Sequence, residues 1–332
     1  SAAQAFMKIQ SDEGSLYFAG GTESMSNIPL YYSKKLQNAF GEVNKARTLP
    51  AKVKAFLKLS PKELLNPTVG LMQGLSDPVC GLNMGQTAEV LAKEFGITRQ
   101  EQDEFALISH QRAINAREIL REEIIPVAPG PDYKKTVIDD NGPREGQSME
   151  ALQKLKPVFD RYAGTVTAGN ASQITDGACA LLIGTEEKAK IFSKPPLGYI
   201  RAFAFSGVEP NRMGIGPAHA IPKVLKKAGM KLSDVQAIEI NEAFAVQVLA
   251  CLRALASNDF AKKFGYEGYT GDVRRDILNV NGGAIALGHP VGTTGSRLIL
   301  TMLKHMQRKN LNVGLISLCI GGGQGAAMIL ER

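Results

Sequence analysis

A cysteine, a histidine and an asparagine in the C-terminal third stand where chemistry is easiest to do. Cys319 ends an apolar run and is followed by Gly321-Gly322-Gly323. A thiol there has backbone N–H groups nearby and little bulk in front of it, which suits a thiolate or an oxyanion. His289 is held between Gly288 and Pro290, just ahead of a helical stretch. Glycine there lets a substrate approach the backbone closely. Asn241 follows an apolar strand-like run and can aim an amide at a ligand or orient a water. A thiol, an imidazole and an amide, each at a strand end or glycine turn, form a constellation for acyl transfer.

Structural roles compete with each of these. A cysteine on an apolar strand is commonly a small core residue. Asn241 serves equally well as the N-cap of the next helix, and His289 as the cap of a turn. Cys80, Cys179 and Cys251 lack such surroundings and read as structural, as do His110, His219 and His305. The four cysteines show no paired spacing, which fits a reducing compartment and not a disulfide framework.

The elements that must position these residues alternate along the C-terminal part. Tyr199–Phe205, Val235–Ile240 and Ile277–Val280 read as strands. Pro217–Ala228, Glu242–Ala254 and Thr294–Met306 read as helices. Val313–Ile320 and Ala326–Leu330 are strands parted by glycines, hence antiparallel. Alternation of this kind predicts an α/β fold with a covered, mostly parallel sheet. The start of the chain echoes its end: a helix over Ala2–Ile9, a short strand over Leu16–Ala19 ending in Gly20-Gly21, then Ala178–Gly184 as a strand and Glu186–Ile191 as a helix. The pattern implies two copies of one α/β unit. The first is interrupted by an insertion from about Thr22 to Ser172 and lacks its opening elements. Within the insertion, Lys35–Leu59 reads as loosely helical, Met84–Phe95 as a helix, Thr98 with Glu101 as a capping box, and 126–142 as a loop.

The 332 residues are 44% apolar, enough for more than one hydrophobic unit. No apolar run approaches the ~20 residues that span a bilayer. The first residues read as mid-protein and carry no signal-peptide pattern. Net charge is +7. Lys34, Lys35, Lys45, Arg47, Lys52, Lys54, Lys58 and Lys62 face only Glu42 in one stretch. That stretch is a solvated helical face, or it meets an anionic ligand or a membrane surface. It has few aromatics and no nucleic-acid motif, so no nucleic-acid partner is expected.

Six segments together resemble the thiolase family: AGGTESMS from Ala19, MGQTAE from Met84, GTVTAGNAS from Gly164, NEAFA from Asn241, GGAIALGHPVGTTGSR from Gly282 and CIGGGQGAAM from Cys319. The resemblance spans essentially the whole chain. It implies the thiolase fold, in which two duplicated βαβαβαββ halves make α/β/α/β/α layers. Residues 1–24 and 173–193 would be what is present of the N-terminal domain, 25–172 an inserted, CoA-binding loop domain, and 194–332 the C-terminal domain.

The resemblance also implies roles. His289 would deprotonate the nucleophilic cysteine. Cys319 would be the acid/base of the carbon–carbon step. Asn241 would hold a water and, with His289, form the enolate's oxyanion hole. Gly321 N–H would be half of a second oxyanion hole. Ser172, Ala171, Met213, Leu75, Met84, Ala243 and Phe244 would line the pantetheine and acyl pocket. The family nucleophile sits at a helix start, which lowers its pKa, and is expected about two residues before Ser1. The stretch before AGGTES is also shorter than the family's, by about one helical turn.

The implied reaction is thiolytic cleavage of 3-ketoacyl-CoA in fatty acid β-oxidation, or the reverse condensation. Alternatives are a short-chain acetoacetyl-CoA thiolase and a non-catalytic acyl-CoA or lipid binder. Coenzyme A is a substrate, and no cofactor or metal is expected. Expected partners are acyl-CoA and CoA, a second copy in a homodimer or homotetramer, and the α subunit of a fatty-acid oxidation complex. Membrane contact is a further possibility. The expected location is the cytoplasm of a bacterium or the mitochondrial matrix of a eukaryote.

Overall fold

In the computed structural model, residues 1–57, 67–268 and 270–332 are described. Lys58 and Lys62 of the basic stretch lie outside them. The chain begins with helix α1 (Ala2–Gln10) and strand β1 (Leu16–Ser24). Next come α2 (Lys34–Lys45), α3 (Leu49–Phe56), α4 (Met84–Glu94) and α5 (Arg99–Asn115). Strands β2 (Asp176–Gly184) and β3 (Tyr199–Gly207) precede α6 (Gly216–Ala228) and β4 (Ala237–Ile240). The last elements are α7 (Ala245–Leu255), α8 (Val291–Lys309), β5 (Val313–Ile320) and β6 (Gln324–Glu331).

Two sheets form the frame. β1 and β2 pair antiparallel, with Ala19 opposite Leu181. β3, β6, β5 and β4 lie side by side in that order, β4 parallel to β5 and the other pairs antiparallel. Helices α1 and α8 lie between the sheets. Their buried Ala2, Ala3, Leu298, Met302 and Met306 share one core with Phe203, Ile316 and Met328, and Leu181 and Ile183 of β2 pack against it. α6 and α7 cover the far face of the larger sheet, where Ile221, Leu225 and Val248 join Leu315 and Ile329. Helix, strand, antiparallel strand thus occurs twice, as α1–β1–β2 and α8–β5–β6. The described residues make four layers of the expected five. The outer face of β1–β2 carries Phe18, which is 87% exposed.

Local chemistry explains the boundaries. α8 buries Thr294, Leu298 and Met302 at helical spacing and ends where Asn310 turns left-handed at φ 53°. The capping box at α5 is present: Thr98 Oγ1 accepts from Glu101 N, and Glu101 accepts from Thr98 N at 2.7 Å. Asn83 and Gln86 form another at α4.

Five expectations need correction. The larger sheet is not mostly parallel: only β4–β5 is a parallel pair, because β6 returns from β5 through the glycine turn and pairs antiparallel with both β5 and β3. β1 does not end at Gly20-Gly21 but runs on to Ser24. Both glycines are needed for close approach, since a Cβ on Gly20 would meet Cys179 O and one on Gly21 would meet Gly292 O. Lys35–Leu59 resolves into two helices over its described part. The helix expected from Glu242 begins at Ala245, because 243–245 is drawn into a backbone pairing with 170–172. Ile277–Val280 is not a strand. Only Leu278 bridges to Ile238, and Asn279, at φ 46°, replaces the ladder with its side chain. Its Oδ1 accepts from Ile240 N and its Nδ2 donates to Ile240 O, both at 2.9 Å.

Candidate active site

The site gathers where β4 and β5 end side by side. Ile240 lies opposite Ser317, and Asn241 N donates to Ser317 O at 2.9 Å. Asn241 and Cys319 therefore leave the same end of the sheet. Asn241 is not a helix N-cap, since α7 starts four residues later. Its Nδ2 instead lies 3.3 Å from His289 Nε2. Its Oδ1 is buried and has no hydrogen-bond partner among the described residues.

His289 is fixed by backbone and ring. Gly288 adopts φ 97°, and a Cβ there would meet the Thr175 side chain. His289 N donates to Thr175 Oγ1 at 3.2 Å, and ring Nδ1 lies 2.7 Å from Thr294 Oγ1. Burial, and secondarily the Arg297 charge, pushes the imidazole pKa down to about 4. The ring is therefore neutral near pH 7, the form a general base needs.

The segment after it is tied to the smaller sheet. Gly292 N donates to Glu23 at 3.1 Å, and Thr293 Oγ1 donates to Gly177 O at 2.8 Å. Ser26, also in the AGGTESMS segment, bonds Asp176. That glycine-rich segment thus steadies the start of α8.

Cys319 is 6% exposed, and burial pushes its thiol pKa up to about 12. At neutral pH it stays protonated, as a proton donor should. Beyond it, Gly322 and Gly323 adopt φ 83° and 85°, and Gly323 O accepts from Val208 N at 2.8 Å. A Cβ on Gly321 would lie 3.6 Å from Met84 Sδ.

The expected pocket residues mostly converge. Ala171 bridges Phe244, Ser172 N donates to Ala243 O at 2.9 Å, and Met213 shares a buried cluster with Cys319, Ala171, Ala243 and Phe244. Met84 packs against that cluster. Leu75 is tied to this group through its carbonyl, which accepts from Met84 N. Ser1, Ala2 and Ala3 line a cavity of about 230 Å³ with Val291, Gly292, Leu318 and Ile320. A larger cavity of about 770 Å³ lies elsewhere, between α6 and residues 265–277, and no candidate site residue lines it. Among the described residues no group of three or more His, Cys, Asp or Glu is placed to hold a metal ion.

The thiolase N-terminal domain family matches residues 1–187, and the thiolase C-terminal domain family matches 194–332. The chain belongs to the thiolase family.

Its relatives include the 3-ketoacyl-CoA thiolase of Pectobacterium carotovorum, 44% identical over 317 residues, 94% of this chain and 71% of that one. The 3-ketoacyl-CoA thiolase of Yersinia pestis is 43% identical over 94% of this chain and 72% of its own. Among solved structures, human mitochondrial 3-ketoacyl-CoA thiolase in complex with CoA superposes with a TM-score of 0.79 at 35% identity, over all of this chain and 74% of that one. An acetyl-CoA acetyltransferase from Syntrophomonas wolfei gives 0.82 at 36%, over all of this chain and 76% of that one.

Several residues of the candidate site carry no signal that sequence reading picks out. Glu242 stood inside NEAFA without a role. Its carboxyl is fully buried and accepts from Ser109 Oγ at 2.6 Å, Asn279 Nδ2 at 2.8 Å and Ile285 N at 3.3 Å. Burial raises its pKa, and these donors oppose the rise. Thr175 and Thr294 were also missed. Thr294 follows His289 by five positions across a proline, a spacing that no helical or strand period marks. Ser109 carried no signal at all.

Proposed function

We propose that the protein cleaves 3-ketoacyl-CoA thiolytically, giving acetyl-CoA and an acyl-CoA shortened by two carbons. The observation that carries this reading is the meeting of His289 Nε2 with the Asn241 amide at the sheet end where Cys319 also sits. The 3-ketoacyl-CoA thiolases at 43–44% identity support it.

In this reading a thiolate attacks the 3-keto carbon after His289 takes its proton. The bond between the second and third carbons breaks. The electron pair passes to acetyl-CoA as an enolate, which Cys319 protonates. Coenzyme A then takes the acyl group from the enzyme thiol. Asn241 with His289 meets the enolate oxygen, and Gly321 N–H meets the acyl-enzyme oxygen. One such donor contributes about 3 kcal/mol to the transition state.

The acyl-carrying thiol is assigned to the segment that leads into α1. The lining of one cavity by Ser1–Ala3 and residues flanking His289 and Cys319 supports that assignment. Residues 25–172 form a CoA-binding loop domain inserted into the N-terminal domain of residues 1–24 and 173–193, and Ala171, Ser172, Met213, Leu75, Met84, Ala243 and Phe244 line the acyl and pantetheine path. The reaction uses coenzyme A as substrate and no metal. The working assembly is a homodimer or homotetramer that associates with an α subunit of a fatty-acid oxidation complex, in bacterial cytoplasm or the mitochondrial matrix. The resemblance of the segment between Leu255 and Leu278 to that of longer-chain members of the family favours medium or long acyl chains. A binding protein without turnover has no use for His289, Asn241 and Cys319 together, which disfavours that reading.

The test is thiolysis of a 3-ketoacyl-CoA series from four to sixteen carbons by the protein expressed from its complete gene. Acetyl-CoA release fastest at ten carbons or more is the expected result. A strong preference for four carbons refutes the chain-length assignment, and no turnover at any length refutes the reaction.

A further inference from the structure

Two threonine hydroxyls flank His289, and both have their single proton engaged elsewhere. Thr175 Oγ1 donates to Gln173 O at 2.7 Å and accepts from His289 N. Thr294 Oγ1 donates to Pro290 O at 3.0 Å, the bond a helical threonine makes to the carbonyl four residues back. What Thr294 presents to His289 Nδ1, at 2.7 Å, is then a lone pair. A lone pair facing a ring nitrogen at that distance requires the nitrogen to carry hydrogen.

The other end of the ring is complementary to that arrangement. Asn241 presents its NH2 group to Nε2 at 3.3 Å, and two donors cannot face each other. With the amide so placed, Nε2 is the unprotonated nitrogen; the Asn241 Oδ1 has no partner among the described residues, so the amide is free to follow the ring and Thr294 decides the tautomer. The opposite tautomer would need the Asn241 amide turned over and the Thr294 hydroxyl swung away from Pro290 O, two changes at once.

We propose that Thr294 is a positioning residue that holds His289 in the Nδ1–H tautomer, so that Nε2 is the nitrogen that takes a proton. This rests on the reading of His289 as general base. When Nε2 accepts a proton both ring nitrogens become donors, and the Thr294 oxygen goes on accepting from Nδ1–H. The same hydroxyl thus serves the resting and the protonated ring. A base whose lone pair pointed at Thr294 instead would be turned away from the site.

The direct experiment is nitrogen NMR on protein labelled with 15N-histidine. The chain has only four histidines, so the His289 signals are those lost in His289→Gln. The expected result is a protonated Nδ1 and a bare Nε2 in the unaltered protein and in Thr294→Ser, with Thr294→Val giving a mixture or the reverse. In thiolysis, Thr294→Val should lower kcat by about 10- to 1,000-fold at little change in KM, and Thr294→Ser should restore most of it. A protonated Nε2 in the unaltered protein overturns the proposal, as does a Thr294→Val spectrum identical to it. The NMR arm needs no turnover, so failure of the reaction assignment and failure of the tautomer assignment give different results. Should Thr294→Val fail to fold, the unaltered and Thr294→Ser spectra still decide.

Discussion

Ser109 and Glu242, 133 residues apart in the chain, meet through a hydroxyl–carboxylate hydrogen bond of 2.6 Å. It joins α5 of the insertion to the segment that carries Asn241. Ser109 also accepts from Gly283 N at 3.2 Å, so one hydroxyl links three parts of the site wall.

Ser109→Ala leaves the buried carboxyl short of one donor. The expected cost is about 1–3 kcal/mol of stability, read from urea unfolding. A loss below about 0.5 kcal/mol, the range of ordinary surface changes, would show that Glu242 is held without Ser109.

The glycine turn after Cys319 gives a graded test. Gly322→Ala meets no close neighbour, and only its positive φ is strained. Gly323→Ala adds a clash of the new Cβ with Val208 O. Gly322→Ala should cost about 1–2 kcal/mol and Gly323→Ala clearly more, by thermal unfolding. Equal losses would mean the turn yields freely.

His219 is buried, with its Nδ1 2.8 Å from Tyr266 OH and its Nε2 without a partner among the described residues. Burial, then Arg212, lowers its pKa to about 4, with Lys223 acting the same way and Glu209 opposing. The unfolded chain therefore takes up this proton first as pH falls. The stability due to neutral His219 is whole above about 6.5 and is lost as pH falls toward 4, at up to about 1.4 kcal/mol per unit. Denaturation midpoints at pH 7 and 4.5 should converge more in His219→Phe than in the unaltered protein. Equal pH dependence in both would contradict this.

His289→Ala should slow formation of the acyl-enzyme by about 10²–10⁴-fold in single-turnover measurements. A loss under tenfold would remove His289 from the role of base.

Much of this was legible in the sequence because the strand–helix alternation of the C-terminal part is regular, and because glycines mark the places where backbones meet. Pro217–Ala228 and Val313–Ile320 were read almost to the residue. The failures have physical causes. Asn279 makes strand bonds with its side chain, so its segment reads as a strand without being one. Phe244 pairs with Ala171, 73 positions away, and such long-range pairing shortens α7 in a way no local pattern reveals. Thr175, Thr294 and Ser109 act through single hydroxyls, and serine and threonine are too common on surfaces for type alone to mark them. The layered arrangement is a tertiary fact, visible only once α1 and α8 are seen between the two sheets.

The assignment of Cys319 as the proton shuttle is the central claim, and Cys319→Ser tests it most directly. Serine is nearly isosteric with cysteine, but its hydroxyl is a far weaker acid than a thiol with an unperturbed pKa of about 8.5. Deuterium exchange at the methyl group of acetyl-CoA and exchange of coenzyme A into acyl-CoA are measured in the same variant of the protein from its complete gene. The account predicts that methyl exchange collapses while coenzyme A exchange, which the proposal places on His289 and Gly321 N–H, survives in large part. Equal losses in both, or none in either, would contradict it and leave Cys319 a core residue.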